Sequence, residues 1–289
     1  MLLMAGTIPV RDLPFVLGPI ELVEENVMVG GQCLDMNRGT ASMISAACAI
    51  CQEYGLKSAV GIVAGDIGAS DGSAKIYDYL AGNLPQMDVQ ILTTHYIMPD
   101  IKRNKKVLEK IDSLEKRPVL IADAGGMYVA KAGGDASRYD LFTPDLGELA
   151  FLADEKAVHP TYTRGFISHM EDDVPELISR AFKSKNVART LFVKGKVDYI
   201  CQDGKILETI DHPNIEALEA VGGTGDIITG IISGLIYAGK SHVDACRIAG
   251  MVNRTAGKLS RPTPATQVKE IIRCIPAALR EVKDRLCRK

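Results

Sequence analysis

Residues 219–241, EAVGGTGDIITGIISGLIYAGKS, carry two overlapping patterns that could hold a phosphate. The first is Gly222-Gly223-Thr224-Gly225-Asp226, followed by an apolar run; the second, Gly234 through Ser241, spells G-x-x-x-x-G-K-S. They imply different folds. A G-x-x-x-x-G-K-S loop cradles phosphate only where it follows a strand and opens a helix. Here Gly234 lies inside the apolar stretch, and residues 235–238 continue it as helix. Gly239 reads as the residue just past a helix end, with Lys240 at the negative end of the dipole and Ser241 as N-cap of the next helix. The upstream pattern passes the same test: a glycine turn, then a helix that begins at Asp226 and is apolar on nearly every face. The free N–H groups of Gly223, Thr224 and Gly225 converge on one spot, an anion hole. As an N-terminal charge Asp226 stabilises its helix by about 0.3–1 kcal/mol, but it repels a bound phosphate. That repulsion is tolerable if Asp226 has a proton to remove. A base beside a cradle for a developing anion suits phosphoryl transfer to a hydroxyl. The purely structural alternative is a capped core helix after a glycine turn.

The rest of the chain must position these residues. Short β-branched runs at 27–31, 58–65, 89–98, 118–126, 139–145 and 190–195 read as strands, with turn glycines closing the 118–126 run. Longer helical patterns at 38–55, 71–84, 100–116 and from Leu146 lie between them. The alternation predicts an α/β fold with a mostly parallel central sheet and helices on both faces. Residues 194–210 read instead as a hairpin around Gln202-Asp203-Gly204. From Asp226 on the pattern is helical, ending in an amphipathic helix with Val268, Ile271, Ile272, Ile275, Leu279, Val282 and Leu286 on one face. Residues 159–177 read as a loop with a short helix. No repeat or linker interrupts the pattern, which reads as one domain over 1–289.

Composition narrows the function. The chain has 289 residues, a net charge of −2, 46% apolar and 24% charged residues, ordinary values for a globular protein. Near-zero charge argues against nucleic-acid and anionic-membrane partners. No apolar run is long enough to span a bilayer, and the N-terminus lacks the basic start of a signal peptide. The seven cysteines are scattered mostly in apolar segments. Cys48 and Cys51 spell C-x-x-C, but well inside a helical pattern and with no second pair or His cluster nearby, so they read as structural. This usage fits a reducing cytoplasm.

G-G-T-G-D followed by an apolar helix resembles the signature of the ribokinase-like superfamily. Within it the chain is most similar to the carbohydrate-kinase-like domain of ADP/ATP-dependent NAD(P)H-hydrate dehydratases. VMVGG and the small-residue helix around RGTASMISAACAI resemble that family's first strand and substrate-side helix; VLIADAGG, LFTPDLGELAFL, LFVKG and TPATQVKEIIRCIPAAL resemble later segments, in the right order. The resemblance implies a three-layer ribokinase-like fold, ATP or ADP with Mg²⁺ as cofactors, and a small-molecule substrate. It implies Asp226 as catalytic base and the amides of Gly223, Thr224 and Gly225 as the anion hole. Lys194 and Gly195 would lie along the nucleotide phosphates. Asp123, Asp145 and Gly39 would lie on the phosphate and substrate side. Glu148 would organise Mg²⁺ through water, a hard oxygen ligand for a hard ion, with Asp145 assisting.

Three stretches depart from the family's pattern. Asp145-Leu146 stands where the family has His-Pro, THYIMPDIKRN where the dehydratases have G-P-G-L-G, and PNIEALEA where they have a glycine-rich approach to G-T-G-D. All fall on the side where the acceptor belongs. A dehydratase, a sugar or vitamin-precursor kinase and a non-catalytic nucleotide-binding regulator therefore stay open, as do ADP against ATP and homo-oligomer formation.

Overall fold

The computed structural model describes residues 1–157 and 174–288. The sheet centres on β1 (Leu2–Ile8), which is buried along its whole length. Its residues alternate between two cores: Leu2, Met4 and Ile8 face one, Leu3 and Ala5 the other. This is what a strand covered on both faces requires: apolar residues without polar alternation. β1 lies outside the strands expected from the sequence, because a run buried on both faces carries no polar alternation to mark it.

Around β1 lie β2 (Val16–Val23), β3 (Asn26–Val29), β4 (Gln32–Asp35), β5 (Val60–Gly65), β6 (Ile91–His95), β7 (Val119–Ala122), β8 (Leu141–Phe142), β9 (Thr190–Val193), β10 (Asp198–Gln202) and β11 (Lys205–Ile210). They form one sheet in the order β11-β10-β9-β8-β7-β6-β1-β5-β2-β3-β4. The six strands from β9 to β5 are parallel; both edges turn antiparallel.

On one face pack α1 (Thr40–Glu53), α7 (Thr224–Tyr237), α8 (His242–Leu259) and α9 (Val268–Cys287). On the other pack α2 (Asp71–Asn83), α3 (Ile101–Asp112), α4 (Gly125–Gly133), α5 (Leu146–Ala153) and α6 (Val174–Lys183). The result is the expected mostly parallel sheet between two helical layers.

Four expectations need correction. VMVGG is not the first strand but β3, in the antiparallel edge β2-β3-β4; Gly30 and Gly31, both at positive φ, turn it into β4. The 139–145 strand shrinks to Leu141–Phe142, because Pro144 has no N–H to donate and Asp145 caps α5. Gly125 and Gly126 do not form a turn; they open α4, where the backbone runs so close to Ile97 that a Cβ on Gly125 would sit 2.0 Å from its carbonyl oxygen. The helix after G-G-T-G starts at Thr224 rather than Asp226. The reading of 159–177 lies mostly outside the described residues, and from Val174 the chain is α6.

The G-x-x-x-x-G-K-S spelling is a helix end. Gly239 (φ 85) follows α7, its N–H bonds to the Ile236 carbonyl and that of Lys240 to the Leu235 carbonyl, the paired bonds of a Schellman stop. Ser241 then caps α8 by accepting from the Asp244 N–H at 3.1 Å. Cys48 and Cys51 are buried in α1 and carry no disulfide. Burial pushes their thiols up to about 11 and about 12, so neither is a nucleophile at neutral pH.

Candidate active site

The C-terminal ends of β6, β7 and β9 deliver His95, Asp123 and Lys194 to one place, opposite the N-terminus of α7. Ligands of open α/β sheets collect at such an edge. A cleft of about 420 Å³ opens there, lined by the polar Asp123, Asp145, Glu148, Lys194 and Asp226, by the turn Gly223-Thr224-Gly225, and by the apolar Ile215, Leu218, Ile228 and Ile271.

Gly223 is the N-cap of α7 at φ 97, a left-handed value natural for glycine. It bends the chain so that α7 starts without a side-chain cap. The amides of Gly223, Thr224 and Gly225 have no hydrogen-bond acceptor among the described residues, so the first turn is free to receive an anion.

Asp226, in that turn, is held on both oxygens. Oδ2 accepts the Gly39 N–H at 2.6 Å and Oδ1 lies 3.1 Å from His95 Nε2. Gly39 is the N-cap of α1, again with no side-chain cap, so Asp226 sits at two helix N-termini. Burial pushes its carboxyl up, but His95, Lys194 and the Gly39 N–H outweigh this and hold it below the usual carboxylate value. It is ionised at neutral pH and able to accept a proton.

Lys194 does not protrude as a solvated hairpin charge. Its Nζ lies 2.9 and 3.1 Å from the two oxygens of Asp123 and 4.0 Å from Glu148. Burial works against the ammonium; Asp123, Glu148 and Asp145 prevail and raise its pKa. Asp123 also accepts from Thr229 Oγ1 at 2.6 Å and the Ala124 N–H at 2.9 Å. Asp123 thus lines the cleft with both oxygens engaged and anchors Lys194.

Asp145 and Glu148 form a capping box on α5: Glu148 N–H donates to Asp145 Oδ1 at 2.8 Å, and Asp145 N–H to Glu148 Oε2 at 2.9 Å. Tyr128 donates to Glu148 Oε1 at 2.8 Å. Burial raises the Glu148 carboxyl, with Lys194 opposing. A carboxylate destabilised in this way gains from a cation, and Asp145 adds a second oxygen ligand at the cleft wall. These oxygen donors suit the hard ion that the family resemblance implies.

Gly195 holds the next turn. Its N–H donates to Asp198 Oδ1 at 3.1 Å, and Asp198 pairs with Arg254 Nε at 2.8 Å. Arg254 also donates to the carbonyls of Gly195 and Lys196. This buried clamp was not foreseen; nothing in an isolated Arg254 on a helix signals a partner 56 residues away.

Sequence reasoning also missed His95. It is fully buried, its Nδ1 lies 3.1 Å from Thr40 Oγ1, and its Nε2 lies 3.7 Å from Asp123. The available signal was a polar residue at the C-terminal end of a buried strand, inside the stretch that replaces the dehydratase glycine loop. His95, Asp123 and Asp226 offer three ligand atoms within 4.8 Å of one another, but Lys194 already supplies the local cation and the hydrogen bonds occupy those atoms.

A mostly parallel sheet covered on both faces, with an uncapped helix N-terminus and a carboxylate in that helix's first turn at the strand ends, defines the class of α/β fold. Solved structures share this fold: a ribokinase-like protein of Enterococcus faecalis aligns over 97% of this chain and 87% of its own, with 13% identity and a TM-score of 0.57. The chain belongs to the NAD(P)H-hydrate dehydratase family, whose profile matches residues 98–277. An uncharacterized protein of Methanocaldococcus jannaschii is 44% identical over 238 residues, 82% of this chain and 98% of that protein. An ADP-dependent (S)-NAD(P)H-hydrate dehydratase of Cenarchaeum symbiosum is 25% identical over 57% of this chain and 52% of its own. The chain matches 27% to 52% of the length of that dehydratase and of three relatives named bifunctional NAD(P)H-hydrate repair enzymes. Among the described residues no helix is long and apolar enough to cross a membrane.

Proposed function

We propose that the protein is a nucleotide-dependent NAD(P)H-hydrate dehydratase, acting in two steps. A phosphoryl group passes from ADP or ATP to the ring hydroxyl of hydrated NAD(P)H. Phosphate then leaves with that oxygen, a ring proton is lost, and the double bond returns. The carrying observation is Asp226: ionised, pinned on both oxygens, and in the same first helical turn as three free amides. It takes the hydroxyl proton as the oxygen gains phosphorus, and the amides of Gly223, Thr224 and Gly225 receive the charge of the moving group. Lys194, held in place by Asp123, keeps its ammonium charged and would direct it toward the phosphates. The apolar side chains of the cleft, Ile215, Leu218, Ile228 and Ile271, would receive the purine. Glu148 and Asp145 would hold Mg²⁺ through water, and that ion would screen the phosphate charges.

A kinase reading has one observation in its favour: Asp145-Leu146 stands where the dehydratase family has His-Pro, so that Asp145 through Glu148 comes closer to the N-x-x-E pattern of kinases in the superfamily. One experiment separates the two. The protein is incubated with Mg²⁺, ADP or ATP, and hydrated NADH, and the dihydronicotinamide absorbance and inorganic phosphate are followed. Equal amounts of recovered NADH and free phosphate are expected. A stable phosphomonoester on a sugar or vitamin precursor, with no recovered chromophore, assigns the kinase instead. Nucleotide binding without either product leaves a regulatory protein.

A further inference from the structure

We infer that His95 is a positioning residue for the Asp226 base, with Thr40 fixing the imidazole from behind, so that Thr40, His95 and Asp226 form one buried hydrogen-bonded line. The inference rests on Asp226 being the base. An ionised carboxylate can only accept, so the 3.1 Å contact between Nε2 and Asp226 Oδ1 places a hydrogen on Nε2. The other ring nitrogen is held at 3.1 Å by Thr40 Oγ1, at the first position of α1. The residue before Thr40, Gly39, donates its N–H to Oδ2 of the same carboxylate. The start of α1 therefore grips Asp226 twice, directly and through His95.

The surroundings leave the line little freedom. A Cβ on Gly6 would fall 2.3 Å from the His95 carbonyl oxygen and 2.5 Å from Thr40 Oγ1, so only glycine on β1 lets the two residues meet. The Tyr96 ring packs edge-on against the imidazole at 4.2 Å, and Tyr96 itself takes a left-handed backbone with φ 48, a strained value for an aromatic residue.

The consequence is chemical. A carboxylate with both oxygens engaged is oriented but weakened as a base. It does not strip an alcohol in advance; it receives the proton late, as the loose phosphoryl group reaches the oxygen. His95 thus trades basicity for orientation. The hydroxyl must approach through a lone pair that Gly39 and His95 leave open, which restricts the acceptor's pose.

The test uses the full chain labelled with ¹⁵N-histidine. There are five histidines, and the His95→Gln variant assigns the signal by its loss. Long-range proton–nitrogen correlation is expected to show Nε2 protonated in the wild type. In Asp226→Asn the hydrogen is expected to move to Nδ1, because the new amide turns an N–H toward the ring. An unprotonated Nε2 in the wild type, or an unchanged ring in Asp226→Asn, overturns the inference whatever turnover does.

Kinetics supply a second readout. His95→Phe keeps the ring volume without the donor, and the acid limb of kcat/KM is expected about one pH unit higher. His95→Gln keeps a donor and should restore most of that limb. Nucleotide KM should not change in either. If the wild type turns over none of the substrates while the Nε2 proton is found, the functional reading fails and the positioning stands.

Discussion

Replacing Asp226 by Asn keeps the shape of the side chain and removes its charge and basicity. In the structure the carboxylate accepts from Gly39 N–H at 2.6 Å and faces His95 Nε2 at 3.1 Å. Bonds to an ionised acceptor contribute about 1.5–3 kcal/mol each and neutral ones about 1 kcal/mol. Their weakening destabilises the fold, but the removal of a largely buried charge offsets part of it. The asparagine oxygen can still accept from Gly39, and its amide can donate to His95 once the ring hydrogen moves to Nδ1. The net change in stability is therefore expected to stay within about 2 kcal/mol. The chemical loss is larger. Removal of a general base lowers turnover by about 10²–10⁴, which is about 2.7–5.4 kcal/mol of barrier. Nucleotide binding should be unchanged or tighter, since a negative charge beside the anion hole has gone. Chemical denaturation, calorimetric nucleotide titration and single-turnover rates measure the three quantities separately. A variant with near-normal kcat would remove Asp226 from the chemistry; a variant that folds but binds no nucleotide would make it part of the donor site instead.

Three further outcomes are expected. Gly223→Ala forces a Cβ into φ 97 and to 3.2 Å from Arg38 Cα and Val268 Cγ2, so it should cost about 1–2 kcal/mol in urea unfolding and weaken nucleotide binding; an unaltered protein would show that the turn adapts. Lys194→Met leaves Asp123, which is 1% exposed, without its cation, and should destabilise by about 3–5 kcal/mol while abolishing tight phosphate binding; full stability in thermal melts contradicts the ion-pair account. Lys240→Ala and Ser241→Ala should leave ADP and ATP affinity unaltered, with Ser241→Ala alone losing about 1 kcal/mol of helix capping; a large affinity loss in calorimetry would restore the discarded loop reading.

Much of the architecture was legible because it follows from local rules. The hairpin at Asp203-Gly204, the stop at Gly239, the N-cap at Ser241 and the stripe of α9 each carry their signal within a few residues. β1 was illegible for the opposite reason: a strand buried on both faces shows no alternation, and seven such residues at a chain start suit several readings. The site divided the same way. G-G-T-G-D announces a turn, a helix start and a carboxylate in order. Its partners come from far along the chain: Gly39 and Asp226 are 187 residues apart, His95 and Asp226 131, Lys194 and Asp123 71. Sheet topology alone brings them together, and no spacing rule could have paired His95 with Thr40 or Asp198 with Arg254.

The order of bond making is the most direct test of the proposed chemistry. Hydrated NADH carrying ¹⁸O in its ring hydroxyl is turned over with Mg²⁺ and ADP or ATP, and the phosphate is examined by mass spectrometry or phosphorus NMR. Transfer to the hydroxyl followed by elimination puts the label in inorganic phosphate, one atom for each NADH recovered. Label released as water, with unlabelled phosphate, would contradict phosphoryl transfer to that oxygen and with it the role assigned to Asp226.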